Sequence, residues 1–336
     1  MIKKFFTNTL FLTVSQIVSR GIGFVYFVFL ARALGIENFG IYVFVISLIY
    51  NFVPVADFGI ERLVLRDFSR DQDKESQVLP KLIPLRFFLA LAAYLLSLIF
   101  GILLKLDSLQ IIFLAIYGLS VFPVNFINLI TGVLNSKEKM QHMAGASLAT
   151  IVLTAVFGFA AIYYKLSLPL LLLSYPTACF IVGAYFLFSA KRLDLILGWK
   201  IDLDLWKKVL AQSWIFAVFT ILAVFYLRAT LIMTKTFLGS EAAGIYGSVF
   251  KFVEAGILLP QAFALALFPL SSRLSIDSSR KLVNLYFKGL GILFLLSLPV
   301  AGVLIIFSKQ IVLLAYGGSY SPAIKVLPIL GLSLIL

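Results

Sequence analysis

Residues 30–42 read Leu30-Ala31-Arg32-Ala33-Leu34-Gly35-Ile36-Glu37-Asn38-Phe39-Gly40-Ile41-Tyr42, and the last nine return 204 positions later as Leu238-Gly239-Ser240-Glu241-Ala242-Ala243-Gly244-Ile245-Tyr246. Six of the nine positions are identical. Apolar sequence long enough to cross a bilayer flanks both copies, so each box reads as a tight connector between two membrane helices. Gly35 and Gly239 are expected to end one helix in a left-handed conformation, and Glu37 and Glu241 to fall in the first turn of the next. Tyr42 and Tyr246 are expected to anchor at the headgroups.

Outward from the boxes the same solvent governs the whole chain. Hydrophobic residues make up 62% and charged residues only 13%, against about 25% charged in a soluble domain. Runs of the roughly 20 apolar residues that cross the hydrocarbon recur along the sequence. They predict nine complete spans, at 9–31, 41–60, 82–104, 109–133, 144–164, 167–190, 209–236, 243–268 and 285–308, with a tenth opening near Ser321 and still apolar at Leu336. The first run is longer than a signal-peptide core and has no small-residue cleavage site, so it is read as a retained helix.

Lysine and arginine set the expected orientation. Assigned to alternate sides of these spans, 17 fall on the side of Lys3 and Lys4 and 6 on the other. Cytoplasmic loops carry the excess, which puts the N-terminus in the cytoplasm. The same residues absorb most of the net charge of +13 as headgroup contacts with membrane lipids, and no nucleic-acid partner is implied.

Two weaker matches accompany the box. Lys81-Leu82-Ile83-Pro84-Leu85-Arg86-Phe87 aligns with Lys281-Leu282-Val283-Asn284-Leu285-Tyr286-Phe287, and Leu114–Ser120 aligns with Leu327–Ser333, at offsets of 200 and 213. The repeat is therefore about 200 residues, or six helices, and an even number makes the two copies parallel about an axis along the membrane normal. The expected fold class is an all-α polytopic membrane protein of two parallel-repeat six-helix bundles around a central cavity. Residues 1–196 are expected to form the N-terminal bundle (helices 1 to 6) and 197–336 a C-terminal bundle (helices 7 to 10) expected to be incomplete in this chain.

Ionisable residues at membrane depth cost about 2.5 to 3.5 kcal/mol each on insertion scales and so mark a protein interior or a wet cavity. Arg20 in helix 1 and Arg228 in helix 7 have no acidic residue within a helical turn. Both are candidate cargo contacts, since the guanidinium fork suits phosphate and stays charged when partly dehydrated. Lys251 and Glu254 in helix 8 stand at i, i+3, which reads equally as a buried ion pair or as a coupling site. Asp57 near the end of helix 2 is a second coupling candidate, with Arg62 or Arg66 as its interfacial partner in the plainer reading. Arg86 and Lys288, at the starts of helices 3 and 9, are expected to snorkel to the headgroups.

Signals for catalysis are weak. Asp202-Leu203-Asp204 has the form of a glycosyltransferase metal motif, but Asp204 as the cap of helix 7 explains it with less. His142 is the only histidine and Cys179 the only cysteine, so no metal site, no catalytic triad and no disulfide is expected. No cofactor and no enzymatic activity are predicted, beyond coupling to a proton or sodium gradient.

The segment Leu30–Tyr42 resembles the bacterial polysaccharide flippases of the Wzx type, in the multidrug/oligosaccharidyl-lipid/polysaccharide exporter superfamily, and the six-plus-six arrangement agrees with it. The resemblance implies a transporter of the bacterial cytoplasmic (inner) membrane. Its cargo would be undecaprenyl-pyrophosphate-linked oligosaccharide repeat units, moved to the outer leaflet for surface polysaccharide such as the O-antigen of lipopolysaccharide. It also implies a cationic central cavity, and a polysaccharide polymerase and a chain-length regulator as candidate partners. A multidrug cation exporter of the same superfamily, a lipid II flippase, and a membrane scaffold or polymerase stay open as alternatives.

Overall fold

The structure, a computed structural model, describes residues 2–71, 73–256, 263 and 279–335. Its described elements are helical: α1 (Ile2–Asp57), α2 (Ile60–Arg70), α3 (Lys74–Leu103), α4 (Ser108–Gly118), α5 (Val121–Ser136), α6 (Gln141–Tyr163), α7 (Leu168–Leu172), α8 (Ser174–Ser189), α9 (Leu203–Gly256), α10 (Ser279–Ile306), α11 (Ser308–Tyr316) and α12 (Ala323–Leu332). Among the described residues, seven apolar stretches are long enough to cross a membrane. Two of them contain the boxes, bend at Gly35 and Gly239, and cross twice, which makes nine crossings among these residues. The inner part of the predicted span 243–268 lies outside the described residues.

Both bends have the same backbone, φ 71°, ψ 172° at Gly35 and φ 90°, ψ 177° at Gly239. This is not the left-handed helical turn expected from the sequence. It is an extended conformation at positive φ that is essentially closed to residues with a Cβ, and it reverses the chain with no intervening loop.

Contacts gather the chain into two compact units, Met1–Phe27 with Ile41–Phe237, and Val28–Gly40 with Leu238–Leu336. In the first, α2 packs against α5. Its buried Ile60, Leu63, Val64 and Phe68 follow the i, i+3, i+4, i+8 spacing of one helix face and pack with Leu79, Leu82, Ile130 and Leu134. Asp202 rather than Asp204 caps α9: its carboxylate accepts from the Leu205 amide at 3.0 Å and from Lys81 Nζ at 2.8 Å. Those contacts hold the Asp202 carboxyl below the usual carboxylate range, so the tie to α3 is charged at neutral pH and is lost only in acid, as pH falls through the depressed value. Trp206 Nε1 donates to the Lys81 carbonyl in the same corner.

In the second unit the two boxes pack on each other reciprocally. A Cβ on Gly40, the seventh residue of the first box, would collide with the Ser240 carbonyl, the third residue of the second. A Cβ on Gly244, the seventh residue of the second box, would collide with the Ile36 carbonyl, the third of the first. Small residues at such points let helix backbones meet directly. α11 supports this contact: Arg32 donates to the carbonyls of Leu314 and Ala315 at its C-terminus, Tyr316 Oη to the Ser248 carbonyl and Tyr320 Oη to the Ala31 carbonyl. A cation at the negative end of a helix is favourably placed. α11 lies between the two matched segments of the second copy, and its nine residues make up most of the rise in repeat offset from 200 to 213.

Candidate functional site

Membrane-depth charge in the first unit falls into one closed cluster and one open series. The closed cluster joins α1, α2, α3 and α5. Asp57, at the end of α1, accepts from the amides of Gly59 at 3.0 Å and Glu61 at 3.3 Å, so its carboxylate caps α2, whose first turn is set by Gly59 at φ 73°. Arg86 completes it. One guanidinium nitrogen donates to the Asp57 carboxylate and to the Asp57 carbonyl, and another to the Asn125 carbonyl at 2.9 Å, while Asn125 Nδ2 returns a bond to the Arg86 carbonyl at 2.7 Å.

Two sequence expectations are corrected here. Asp57 pairs with Arg86, not with Arg62 or Arg66. Arg86 does not snorkel: its side chain is 2% exposed. The reason is where α3 begins. Its first turn is at Lys74, eight residues before the predicted span, so Arg86 lies about 18 Å along the helix and cannot reach its end. Tyr42 is corrected as well, being 4% exposed within the protein instead of at the headgroups.

The open series runs along the seam between α1–α2 and the first arm of α9. Gly59 brings the backbones together there, with Ser213, Phe216 and Ala217 crowding the place a Cβ would take. Cations of one element lie over rings of the other: Arg62 over Phe219 at 5.6 Å, Arg228 over Tyr50 at 5.4 Å and Lys235 over Phe44 at 4.7 Å. Lys235 Nζ also donates to Gln110 Oε1 at 2.7 Å. A ring face stabilises a cation without cancelling its charge.

The remaining sequence candidates are placed as follows. Arg20 is exposed on α1 and makes no hydrogen bond or ion pair with a described residue. Lys251 and Glu254 belong to the second unit and pair with each other at 2.9 Å, as the i, i+3 spacing predicts. The sequence missed Arg86 and Asn125, whose partners lie 29 and 39 residues away. Groups of three or more histidine, cysteine or acidic residues able to hold a metal are absent among the described residues.

The helical crossings among the described residues make the architecture of a multi-pass membrane protein. Solved structures share the fold: an inward-facing multidrug resistance MATE family transporter of the MOP superfamily matches over 98% of this chain and 81% of its own, with TM-score 0.69 and 15% identity. A MATE transporter in complex with MaD5 matches at TM-score 0.63 and 16% identity, over 98% and 79%. An outward-facing MATE family transporter matches at TM-score 0.56 and 17% identity, over 96% and 78%. Residues 5–275 match the profile of the polysaccharide biosynthesis protein family, and the chain belongs to that family. No curated protein matches the sequence.

Proposed function

We propose that the protein is a flippase for undecaprenyl-pyrophosphate-linked oligosaccharide repeat units, carrying them from the cytoplasmic to the outer leaflet of the bacterial cytoplasmic membrane by alternating access. Arg20, Arg228 and Lys251 hold the pyrophosphate while the lipid chain stays in the bilayer. The observation that carries this reading is the charge balance at membrane depth. Arg20 is exposed without a described acidic partner, Lys235 rests on the Phe44 ring, and the acidic groups Asp57 and Glu254 are both engaged by cations. A multidrug cation exporter needs carboxylates open to its cargo, so this balance favours an anionic one. In this scheme Glu254 or Asp57 takes the coupling proton or sodium ion, and its neutralisation frees Lys251 or Arg86.

Replacing Arg20 and Arg228 by Ala in a strain that depends on the protein tests the cavity assignment. Hydrogen bonds to a charged group contribute about 1.5 to 3 kcal/mol, so each substitution is expected to lower surface polysaccharide about tenfold or more at equal protein level. Undiminished polysaccharide from the double variant would remove these arginines from the cargo site.

A further inference from the structure

The chain between α8 and α9, residues 190–202, joins two helices of membrane-crossing length and therefore lies at a membrane surface. It is pinned as a strap along α3. Leu193 and Leu195 are buried in the core of the first unit, and the Lys200 amide donates to the Pro80 carbonyl at 3.0 Å. A Cβ on Gly198 would stand 3.0 Å from the Pro80 ring, and Asp202 holds Lys81. Pinned in this way, the strap still leaves Ile196, Trp199 and Ile201 56%, 55% and 61% exposed. The Trp199 ring packs on Phe87 of α3 at 5.5 Å, against the side of a membrane-crossing helix.

Charge along the strap is one-sided. Lys191, Arg192 and Lys200, with Lys207 and Lys208 at the start of α9, are exposed and make no ion pair among the described residues. Of the acidic residues in the same stretch, Asp194 faces Lys139 at 3.5 Å and Asp202 faces Lys81 at 2.8 Å, which leaves Asp204 set against the five cations.

We propose that the strap is a binding surface for anionic phospholipid of the leaflet it faces, with its cations on the headgroup phosphates and Ile196, Trp199 and Ile201 among the upper acyl chains. The combination names the occupant. Large apolar side chains left exposed on a pinned segment at a membrane surface belong in hydrocarbon, and a tryptophan with neighbouring lysines marks the headgroup level. Zwitterionic lipid would cover the apolar side chains but leave the cations without counter-charge. An acidic protein would match the cations and leave the apolar side chains in water. A single pyrophosphate is too compact to meet cations spread from Lys191 to Lys208, so the surface does not depend on which cargo the protein moves.

Trp199 reports on the strap. The full protein is reconstituted into phosphatidylcholine vesicles that contain a rising fraction of lipid brominated near the headgroup end of one acyl chain, either phosphatidylglycerol or phosphatidylcholine. The Trp199 signal is the difference in quenching between each protein and its Trp199→Phe counterpart. A lysine or arginine near an anionic surface favours the charged lipid about fivefold, so brominated phosphatidylglycerol is expected to quench at about tenfold lower mole fraction than brominated phosphatidylcholine. Identical concentration dependence for the two lipids would overturn the proposal. In the Lys200→Gln, Lys207→Gln, Lys208→Gln triple variant the preference should fall below about threefold. Its survival there would equally overturn the assignment, by tracing the effect to the net charge of the whole protein. Should that variant fail to insert, salt raised to about 1 M, which screens beyond about 3 Å, must lower the wild-type preference to the same level, and an unchanged preference would contradict the proposal.

Discussion

Replacing Arg86 by Ala should cost about 3 to 5 kcal/mol and prevent the protein from accumulating in the membrane. The substitution removes no surface contact; it strands a carboxylate. Asp57 is 15% exposed and keeps its place because it caps α2. Without the guanidinium, its charge remains at membrane depth with only two amides to hold it. The Asn125 carbonyl loses its donor in the same step. The double variant Arg86→Met with Asp57→Asn should recover most of the loss, since the amide oxygen of asparagine still accepts from the Gly59 and Glu61 amides and no charge is left unmatched. Thermal unfolding in detergent and membrane abundance measure both steps. A single Arg86→Ala variant as stable as the wild type would refute the buried pair.

The second large effect is expected at the box contact. Gly40→Leu and Gly244→Leu each place a side chain against backbone that cannot swing aside, so the two arms must separate. Overpacking of this kind typically costs about 1 to 3 kcal/mol, and the loss of the surrounding aromatic contacts among Phe39, Tyr316 and Tyr320 adds to it. Because the glycines face each other's boxes reciprocally, the double variant should be less than additive. Gly145 in α6 is the control, with nothing within 4 Å of its missing Cβ. Gly145→Ala should be neutral or stabilising by up to about 1 kcal/mol from helix propensity. Equal effects at all three glycines in the same unfolding measurement would contradict the reciprocal contact.

The membrane crossings and the repeat were legible because both are local properties of sequence: apolar length for the first, a nine-residue box with three fixed glycine and tyrosine positions for the second. Even the conformation at Gly35 was half legible, since positive φ follows from glycine while the extended ψ does not. What sequence hid was register and partnership. α2 looked like a loop because its apolar face is short and interrupted by Glu61, Arg62, Arg66 and Asp67. Arg86 looked interfacial because the apolar run of the span starts only at Leu82, whereas α3 begins eight residues earlier, at Lys74. Lys137 looked like one more loop cation, yet it pairs at 2.8 Å with Glu75, which is 6% exposed. Each error concerns a partner more than one helix away, which apolar periodicity cannot reveal.

The central claim is movement of an anionic lipid-linked sugar between leaflets. It is tested most directly by reconstituting the purified protein into liposomes containing labelled undecaprenyl-pyrophosphate oligosaccharide, imposing a proton or sodium gradient, and adding a glycosidase that cannot cross the membrane. The account predicts that the protein exposes the inner-leaflet share of the oligosaccharide to the enzyme, and that the Arg20→Ala, Arg228→Ala double variant does not. Cleavage that stops at the outer-leaflet share with and without the protein would contradict it.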